Sequence, residues 1–201
     1  MNAPAGLYDA FMAPLERSTL RSIRRSLVGA ARGAVLELGA GTGANIPFYR
    51  SSSAEKLVLS DWVDRRQTLL RRASAEKLPF PVEAFQVDAQ KLPFADAHFD
   101  TIVSTLLFCS VSCVQCSFRE IRRVLRPDGT LLFLEHVRPP ARSMATITDM
   151  LTPLWRRISG GCHLNRDTIG ALRQAGFLLN LEEPAAGVFR WGRASPGYGS
   201  T

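Results

Sequence analysis

Short apolar runs alternate with helix-like patterns along this chain. Val35–Leu38 and Lys56–Ser60 are short and rich in aliphatic residues, which is typical of buried strands. Apolar residues at helical spacing predict one amphipathic helix near residues 15–27 and another over Met144–Ile158. Strands that alternate with helices predict a mostly parallel sheet. The 201 residues can bury one core but hardly two, so we expect a single domain over residues 1–201.

A glycine-rich turn follows the first predicted strand. Gly39, Gly41 and Gly43 stand at every second position directly after Leu38. Glycine adopts positive φ and lets a ligand approach the backbone closely, and turns of this kind bind nucleotide-like ligands in doubly wound sheets. The dinucleotide fingerprint is G-x-G-x-x-G, whereas here the third glycine comes one residue early. Glu37, inside the strand, would repel a pyrophosphate but suits a ligand that carries an amino group.

Asp61 stands at the end of the second predicted strand, 18 residues after Gly43. A carboxylate about this far past a glycine turn holds the two hydroxyls of a ribose. The alternative is a helix N-cap for the segment Asp64–Ser74. Beside the glycine turn, ribose binding is the leading interpretation.

The turn and its acid resemble motif I of the class I S-adenosylmethionine methyltransferases. Phe85–Gln90 is similar to the family's third motif, Phe99–Ser104 to its fourth strand, and Arg122–Phe133 to its helix, Pro-Asp-Gly turn and fifth strand. The resemblance implies a Rossmann-like α/β fold: a seven-stranded, mostly parallel sheet with helices on both faces. It implies S-adenosylmethionine as the cofactor. The cofactor-binding residues that it implies are Glu37, Gly39, Ala40, Gly41, Thr42, Gly43, Asn45, Asp61, Trp62, Asp88, Ala89, Gln90, Thr105 and Leu106.

The C-terminal half is similar to the small thiol methyltransferases of the methyltransferase-like 7 group. Thr105–Val111, Leu134–Val137 and Leu154–Arg166 carry this similarity, and bacterial phosphatidylethanolamine and quinone methyltransferases share the pattern. The resemblance implies a small, fairly apolar acceptor, with a thiol preferred and a phospholipid amine or quinone precursor as the alternative. The substrate contacts that it implies are Tyr8, Cys109, His136, Trp155 and His163.

Three parts of the chain receive roles by this reasoning. His136, at the end of the fifth strand, is the candidate general base, and a structural imidazole is the alternative. Residues 1–32 form an N-terminal helical segment over the cofactor, in which Tyr8 and Asp9 close over it. Residues 138–164 form an insertion whose helix, Met144–Ile158, is a lid that lines the acceptor pocket or an ordinary core-facing helix.

Cys109, Cys113 and Cys116 have the spacing C-x3-C-x2-C, which in radical S-adenosylmethionine enzymes holds an iron–sulfur cluster. Those enzymes place the motif after the first strand of a barrel, whereas here it follows a fourth strand. We therefore expect packed or surface thiols, with Cys113 and Cys116 at the start of a helix, and no bound metal. Four cysteines without framework spacing favour a reducing, cytoplasmic compartment.

The chain is basic, with a net charge of +7, and 22 of its 25 basic residues are arginine. We expect solvated helix faces and no nucleic-acid partner. The N-terminal helical region is expected to pack on the sheet, with peripheral contact to an anionic membrane as a second option. No stretch approaches the roughly 20 apolar residues of a membrane span, so the membrane anchor of the animal relatives is not expected. The basic cluster of that region comprises Arg17, Arg21, Arg24, Arg25 and Arg32.

Overall fold

The computed structural model describes residues 20–139, 141–158, 161–182 and 188–197. The strands are β1 Arg32–Leu38, β2 Ser53–Asp61, β3 Val82–Gln86, β4 Phe99–Thr105, β5 Leu125–His136, β6 Phe177–Glu182 and β7 Phe189–Pro196. The helices are α1 Arg21–Gly29, α2 Arg66–Glu76, α3 Val114–Val124, α4 Arg142–Ile158 and α5 Thr168–Gln174, with a 3₁₀ helix at Ile46–Ser51. None of the described helices is long and apolar enough to cross a bilayer.

The seven strands form one mixed sheet in the order β3-β2-β1-β4-β5-β7-β6. Strands β1 to β5 pair in parallel, and β7 pairs antiparallel with both β5 and β6. The predicted sheet is therefore confirmed. The chain order reverses between the neighbours β1 and β4, and ligands of open α/β sheets bind at such a switch point, beyond the carboxyl ends of the strands.

Successive side chains of the central strands point to opposite faces of the sheet and pack in two separate cores. Val35 and Val103 pack in the core that also holds the apolar residues of α1 and α2, whereas Leu36 and Ile102 pack in the core with α3 and α5. Side chains alternate across a strand, so a sheet covered on both faces has nearly continuous apolar strands. This explains why Val35–Leu38 shows no polar alternation apart from Glu37.

Two predicted boundaries differ from the structure. The Pro-Asp-Gly turn lies inside β5, because the pairing with β4 jumps from Phe99–Leu125 to Thr101–Thr130 and leaves the intervening residues as a bulge. Helix α2 begins at Arg66, two residues after the predicted start. Both differences arise at element ends, where tertiary hydrogen bonds decide the last paired residue.

Helix α1 packs its apolar side against the sheet. Ile23 and Leu27 are buried in the same core as Val35, so the expected packing is confirmed for the described part of this region. Arg21 and Arg25 are exposed, whereas Arg24 is buried. The residues before Leu20, including Arg17, lie outside the described residues.

Candidate functional site

The glycine turn after β1 has the backbone that its sequence predicts. Gly39, Gly41 and Gly43 have φ values of 67°, 55° and 87°. An added Cβ would lie 2.8 Å from Leu107 at Gly39 and 2.6 Å from Ile46 at Gly43. At Gly41 the nearest atom is the carbonyl oxygen of Gly39, at 3.9 Å. A side chain at either outer glycine would therefore crowd Leu107 or Ile46, whereas Gly41 faces open space in front of the turn.

Backbone hydrogen bonds hold the rest of this turn in place. The Ala40 amide donates to the Ser60 carbonyl of β2 at 2.9 Å, and the Gly43 amide donates to the Ala40 carbonyl at 2.8 Å. Thr42 is half-buried, and its carbonyl accepts from the Arg72 guanidinium of α2. The turn is thus supported by β2 and α2 on either side.

Asp61 fastens the glycine turn to the end of β2. Its Oδ2 accepts from the Gly41 amide and its Oδ1 accepts from the Val63 amide, both at 2.8 Å. The N-cap of α2 is Arg65, and no side chain caps that helix. The helix-cap alternative for Asp61 is therefore wrong, because its carboxylate reaches back to the turn.

A buried polar network lies beneath the turn. The Arg24 guanidinium donates to Asn45 Oδ1 and Thr105 Oγ1, both at 2.7 Å. Asn45 Nδ2 donates to Glu37 Oε1 at 3.0 Å, and the Tyr49 hydroxyl donates to Glu37 Oε2 at 2.7 Å. Glu37 is only 1% exposed. The network joins α1, β1, the 3₁₀ helix and β4 at the switch point of the sheet.

Burial dominates the electrostatics of this network. Desolvation raises the pKa of Glu37 above its ordinary value, while hydrogen bonds from Tyr49 and Asn45 and the charge of Arg24 act in the opposite direction. Burial and the nearby Glu37 carboxylate raise the pKa of Tyr49 well above its ordinary value. Tyr49, Asn45 and Arg24 all favour the charged form of the Glu37 carboxylate, and Arg24 supplies the positive charge.

An open groove runs along the ends of β2 and β3. Trp62 projects into solvent with 69% of its surface exposed, whereas Ala89 is nearly buried. Trp62 is a flat aromatic surface next to Asp61. The groove is lined by Trp62, Val63, Asp64, Gln86, Val87 and Asp88.

Asp88 and Gln90 connect this groove to α3. The Gln90 amide donates to Asp88 Oδ1 at 2.9 Å, and its Nε2 donates to the same oxygen at 3.0 Å. Gln90 Oε1 accepts from the Ser112 hydroxyl and from the Cys113 amide, both at 2.8 Å. The side chain of Gln90 therefore ties the third motif to the start of α3.

The cysteines at the start of α3 form a disulfide between Cys113 and Cys116. The expectation of free thiols is wrong for this pair. Cys113 is the N-cap of α3, and its Sγ accepts from the Cys116 amide at 3.2 Å. Helical geometry brings two residues three apart onto the same side, and their Cα atoms are 5.3 Å apart, within the range for a disulfide. Within the described ranges, no three His, Cys, Asp or Glu residues are grouped to hold a metal.

The loop after β4 is held by a buried carboxylate. Glu135 Oε1 accepts from the amides of Leu107 at 3.0 Å and Phe108 at 3.1 Å, and Oε2 accepts from the Cys109 amide at 3.3 Å. Leu106, just before these residues, has a φ of 58°. Desolvation raises the pKa of Glu135 to about 7 against these hydrogen bonds. Glu135 therefore fixes the backbone of Leu107–Cys109, which includes the predicted acceptor contact Cys109.

His136 lies at the end of β5 against an aromatic ring. Its ring meets Phe189 of β7 edge-on at 5.7 Å between centroids. Its Nδ1 is buried and has no hydrogen-bond partner among the described residues. Desolvation lowers the pKa of His136 to about 4, so the imidazole is neutral at physiological pH and weakly basic.

The remaining residues predicted to contact the acceptor form a second cluster. The His163 amide donates to the Cys109 carbonyl at 2.8 Å, and Arg166 donates to the Val111 carbonyl at 2.7 Å, so the segment after α4 is fixed to the loop after β4. The Cys109 and Cys162 thiols lie side by side, so that the pKa of Cys109 is raised well above its ordinary value and that of Cys162 is lowered, and Trp155 adjoins Cys162. Cys109, Trp155 and His163 are therefore brought together. Tyr8 and Asp9 lie outside the described residues.

Helix α4 does not turn its apolar stripe inward. The exposed apolar side chains are Met144, Ile147, Met150, Leu151 and Leu154. Trp155 is half-buried on the other side. The core-facing alternative for this helix is therefore wrong.

Comparisons with known proteins identify the family. The methyltransferase domain family matches residues 36–133. Thiol S-methyltransferase TMT1B of Homo sapiens is 35% identical over 181 residues, which cover 84% of this chain and 72% of that protein. The chain belongs to the S-adenosylmethionine-dependent methyltransferases. The cofactor of this family is S-adenosylmethionine.

Other relatives extend this comparison. TMT1B of Rattus norvegicus is 36% identical over 160 residues, which cover 78% of this chain and 65% of that protein. The quinone-biosynthesis C-methyltransferase UbiE of Azotobacter vinelandii is 32% identical over 142 residues, covering 67% of this chain and 54% of that protein. A solved methyltransferase of Aquifex aeolicus shares the fold at a TM-score of 0.68 and 16% identity, covering 96% of this chain and 98% of that one.

Sequence reasoning gave Arg24 and Tyr49 no role in this candidate site, and it counted Arg24 only among the basic residues of the N-terminal region. Arg24 carried a usable signal, because it follows Leu20 by four residues and precedes Val28 by four, which places it on the apolar side of α1. Tyr49 carried none, because a tyrosine in a short segment between two strands has no distinguishing pattern. Only the fold shows that its hydroxyl reaches Glu37.

Proposed function

We propose that this methyltransferase moves a methyl group from S-adenosylmethionine to a small, fairly apolar thiol. The observation that carries this choice is the 35% identity to thiol S-methyltransferase TMT1B over 84% of the chain. The burial of His136, which lowers its pKa to about 4 and leaves it a weak base, agrees with it. Glu135, the other buried base at the end of β5, accepts from three backbone amides and is held in that role. A thiol with a pKa of about 8.5 is partly ionised at neutral pH, so it needs no strong base.

The cofactor fits the surface in front of the glycine turn. The open space at Gly41 admits a ligand against the backbone, and Asp61 stands beside it to accept from ribose hydroxyls. Trp62 and Asp88 line the groove proposed for the adenine, with Ala89 and Gln90 behind them. The amino-acid end would lie toward Asn45 and Thr105, above Glu37. Residues 1–32 are proposed to close over it.

S-adenosylmethionine supplies a methyl group that is activated on a sulfonium. The chain positions the acceptor, and positioning provides much of the rate in a displacement of this kind. Cys109, Cys162 and Trp155 form a largely buried wall that excludes water from an acceptor, and residues 138–164 are the proposed insertion over it. The thiolate sulfur would form the new bond to the methyl carbon as the bond between that carbon and the sulfonium sulfur breaks, so that S-adenosylhomocysteine is the leaving group and the thiol proton is lost to solvent.

A phospholipid amine or a quinone precursor is the alternative acceptor. The similarity to UbiE, which covers 67% of this chain, supports a quinone precursor as this alternative. An amine or a phenol must lose its proton to a positioned base. Among the described residues near the end of β5, neither His136 nor Glu135 fits that role well. A cytoplasmic location remains a prediction from the sequence.

Replacing Asp61 by alanine is expected to weaken the affinity for S-adenosylhomocysteine by roughly ten- to a hundredfold, because a charge-assisted hydrogen bond contributes about 1.5–3 kcal/mol. Stability should also fall, since the Gly41 and Val63 amides lose their acceptor. Calorimetric titration and urea denaturation measure the two effects. Asp128→Ala, at an exposed aspartate, is the control and should change neither. Lower stability with unchanged affinity would show that Asp61 only fastens the turn.

Replacing His136 by alanine is expected to lower the rate with a small apolar thiol by less than about tenfold, whereas loss of a general base lowers it by about 10²–10⁴. In wild type and variant the rate should rise with pH along the titration of the acceptor thiol. His136, with a pKa of about 4, has already lost its proton well below the pH range in which the thiol titrates. The titration of His136 should therefore not appear in the pH–rate profile.

The control for this experiment is His98→Ala, at an exposed histidine. The measurement is the pH–rate profile with the thiol and with phosphatidylethanolamine vesicles. A hundredfold loss in His136→Ala would instead assign it as the base. Turnover of the phospholipid with no turnover of any thiol would replace the proposed acceptor by the alternative.

A further inference from the structure

Helix α4 exposes an apolar stripe that no described residue covers. Met150 and Leu154 are 77% and 60% exposed, and three more apolar side chains lie on the same side. At 3.6 residues per turn, the five occupy about one third of the helix circumference. The stripe, used below under this name, comprises Met144, Ile147, Met150, Leu151 and Leu154.

The inward side of α4 carries small and hydroxyl residues instead. Ala145, Thr148 and Thr152 are buried. Thr148 donates to the Ala145 carbonyl at 2.8 Å, and Thr152 donates to the Thr148 carbonyl at 2.6 Å, so both hydroxyls are satisfied within the helix. The polarity of α4 is therefore inverted relative to a helix that packs on a sheet. Its largest apolar side chains are placed for contact with something outside the fold.

The charges around the stripe select the partner. Arg142 begins the helix, and Arg156 and Arg157 stand in its last turn, all three exposed. Asp149, the one carboxylate of α4, accepts from Arg138 at 2.7 Å and from Asn165 at 2.9 Å, so it is neutralised on the protein side. At 3.6 residues per turn Arg157 borders the stripe next to Met150, whereas Arg142 and Arg156 project from the flank of the helix. Helix α4 thus presents an apolar stripe with exposed positive charge at both of its ends.

We propose that α4 docks flat on an anionic lipid surface, with the stripe inserted at the level of the head groups and the terminal arginines against lipid phosphates. An amphipathic helix with an apolar face and basic ends is suited to lie in the plane of a bilayer interface. Basic residues near such a surface add electrostatic attraction. A second copy of the chain fits less well, because its stripe would bring a second set of terminal arginines to the same contact. The inference is independent of the proposed acceptor.

The test is sedimentation of the full chain with phosphatidylcholine vesicles, with and without phosphatidylglycerol. Wild type should bind the anionic vesicles more tightly than the neutral ones, and binding should weaken as salt shortens the Debye length from about 10 Å at 0.1 M to about 3 Å at 1 M. Met150→Glu and Leu154→Glu should each weaken binding by about tenfold or more, since each removes an inserted apolar side chain.

Leu178→Glu is the matched control. Leu178 is 66% exposed on β6, so the same change at similar exposure should leave vesicle binding unaltered. The double variant Arg156→Glu/Arg157→Glu should lose the preference for anionic vesicles. Unchanged affinity for S-adenosylhomocysteine shows that each variant is folded.

Three results would overturn the proposal. Wild type could fail to sediment with anionic vesicles, or Leu178→Glu could weaken binding as much as the stripe variants. The stripe variants could instead convert a dimer into a monomer, seen by light scattering, without changing vesicle binding, which would assign the stripe to a second copy of the chain. None of these measurements uses a thiol acceptor, so they would test the proposal even if the protein did not methylate thiols.

Discussion

Replacing Arg24 by leucine is expected to lower the free energy of unfolding by about 3–5 kcal/mol, because removal of one partner leaves a buried charge uncompensated. Asn45 and Thr105 would lose their donor, and Glu37 would lose the nearby positive charge that opposes the rise of its pKa. Arg25→Leu is the matched control. Arg25 is the exposed neighbour on the same helix, and its replacement should change stability by less than about 0.5 kcal/mol.

The loss in Arg24→Leu should depend on pH. A carboxyl group whose pKa is raised on folding destabilises the native state as pH rises above its unfolded value of about 4.3. The variant raises the pKa of Glu37 further, so the loss of stability should be larger at pH 8 than at pH 5. Urea denaturation at the two pH values measures this, and Arg24→Leu/Glu37→Gln should regain part of the loss. Equal stability of Arg24→Leu and Arg25→Leu would contradict the role of the network.

Replacing Gly41 by valine is expected to lower the affinity for S-adenosylhomocysteine by more than about a hundredfold, or at least 2.7 kcal/mol. The new side chain would enter the open space in front of the turn, where the nearest atom among the described residues beyond the two chain neighbours lies 3.9 Å from the added Cβ. A positive φ at a residue with a side chain costs about 1–2 kcal/mol, so stability should fall modestly. Calorimetric titration and thermal unfolding separate the two effects.

Gly161→Val controls for the backbone strain in Gly41→Val. Gly161 has a φ of 112°, further from the left-handed region than the 55° of Gly41, and an added Cβ there would lie 3.6 Å from the Ser110 carbonyl oxygen. The backbone strain is therefore at least as large, and the glycine turn is untouched. This control should lose stability and keep its affinity for S-adenosylhomocysteine. If Gly41→Val also keeps its affinity, the cofactor does not lie on this turn.

Much of the fold could be predicted because strands with both faces covered leave a strong local signature. Val35–Leu38 and Lys56–Ser60 fall within β1 and β2. The glycine turn also has the predicted positive φ values, since glycine is the residue that adopts them without strain. Element ends were less well predicted, as at Leu125, where β5 begins before the Pro-Asp-Gly turn.

The acceptor side was harder to predict because periodicity identifies a stripe without showing what the stripe faces. In α1 the apolar residues pack on the sheet, whereas the same kind of pattern in α4 faces solvent. The difference depends on which neighbouring surface is available, and that surface is assembled from distant segments. The disulfide between Cys113 and Cys116 was missed because spacing alone does not distinguish a bonded pair from two thiols at a helix start.

The sequence by itself determined the family, the order of strands and helices and the position of the glycine turn, because each rests on residues close together in the chain. Only the tertiary structure decided the partners of the buried charges. Arg24 reaches Thr105 across 81 positions, and Glu135 holds amides 26 to 28 positions away. Such contacts form when the strands assemble side by side. Burial then removes water from these polar groups, so each depends on its protein partners for hydrogen bonds. The sequence placed the glycine turn, and the folded sheet decided which charges support it.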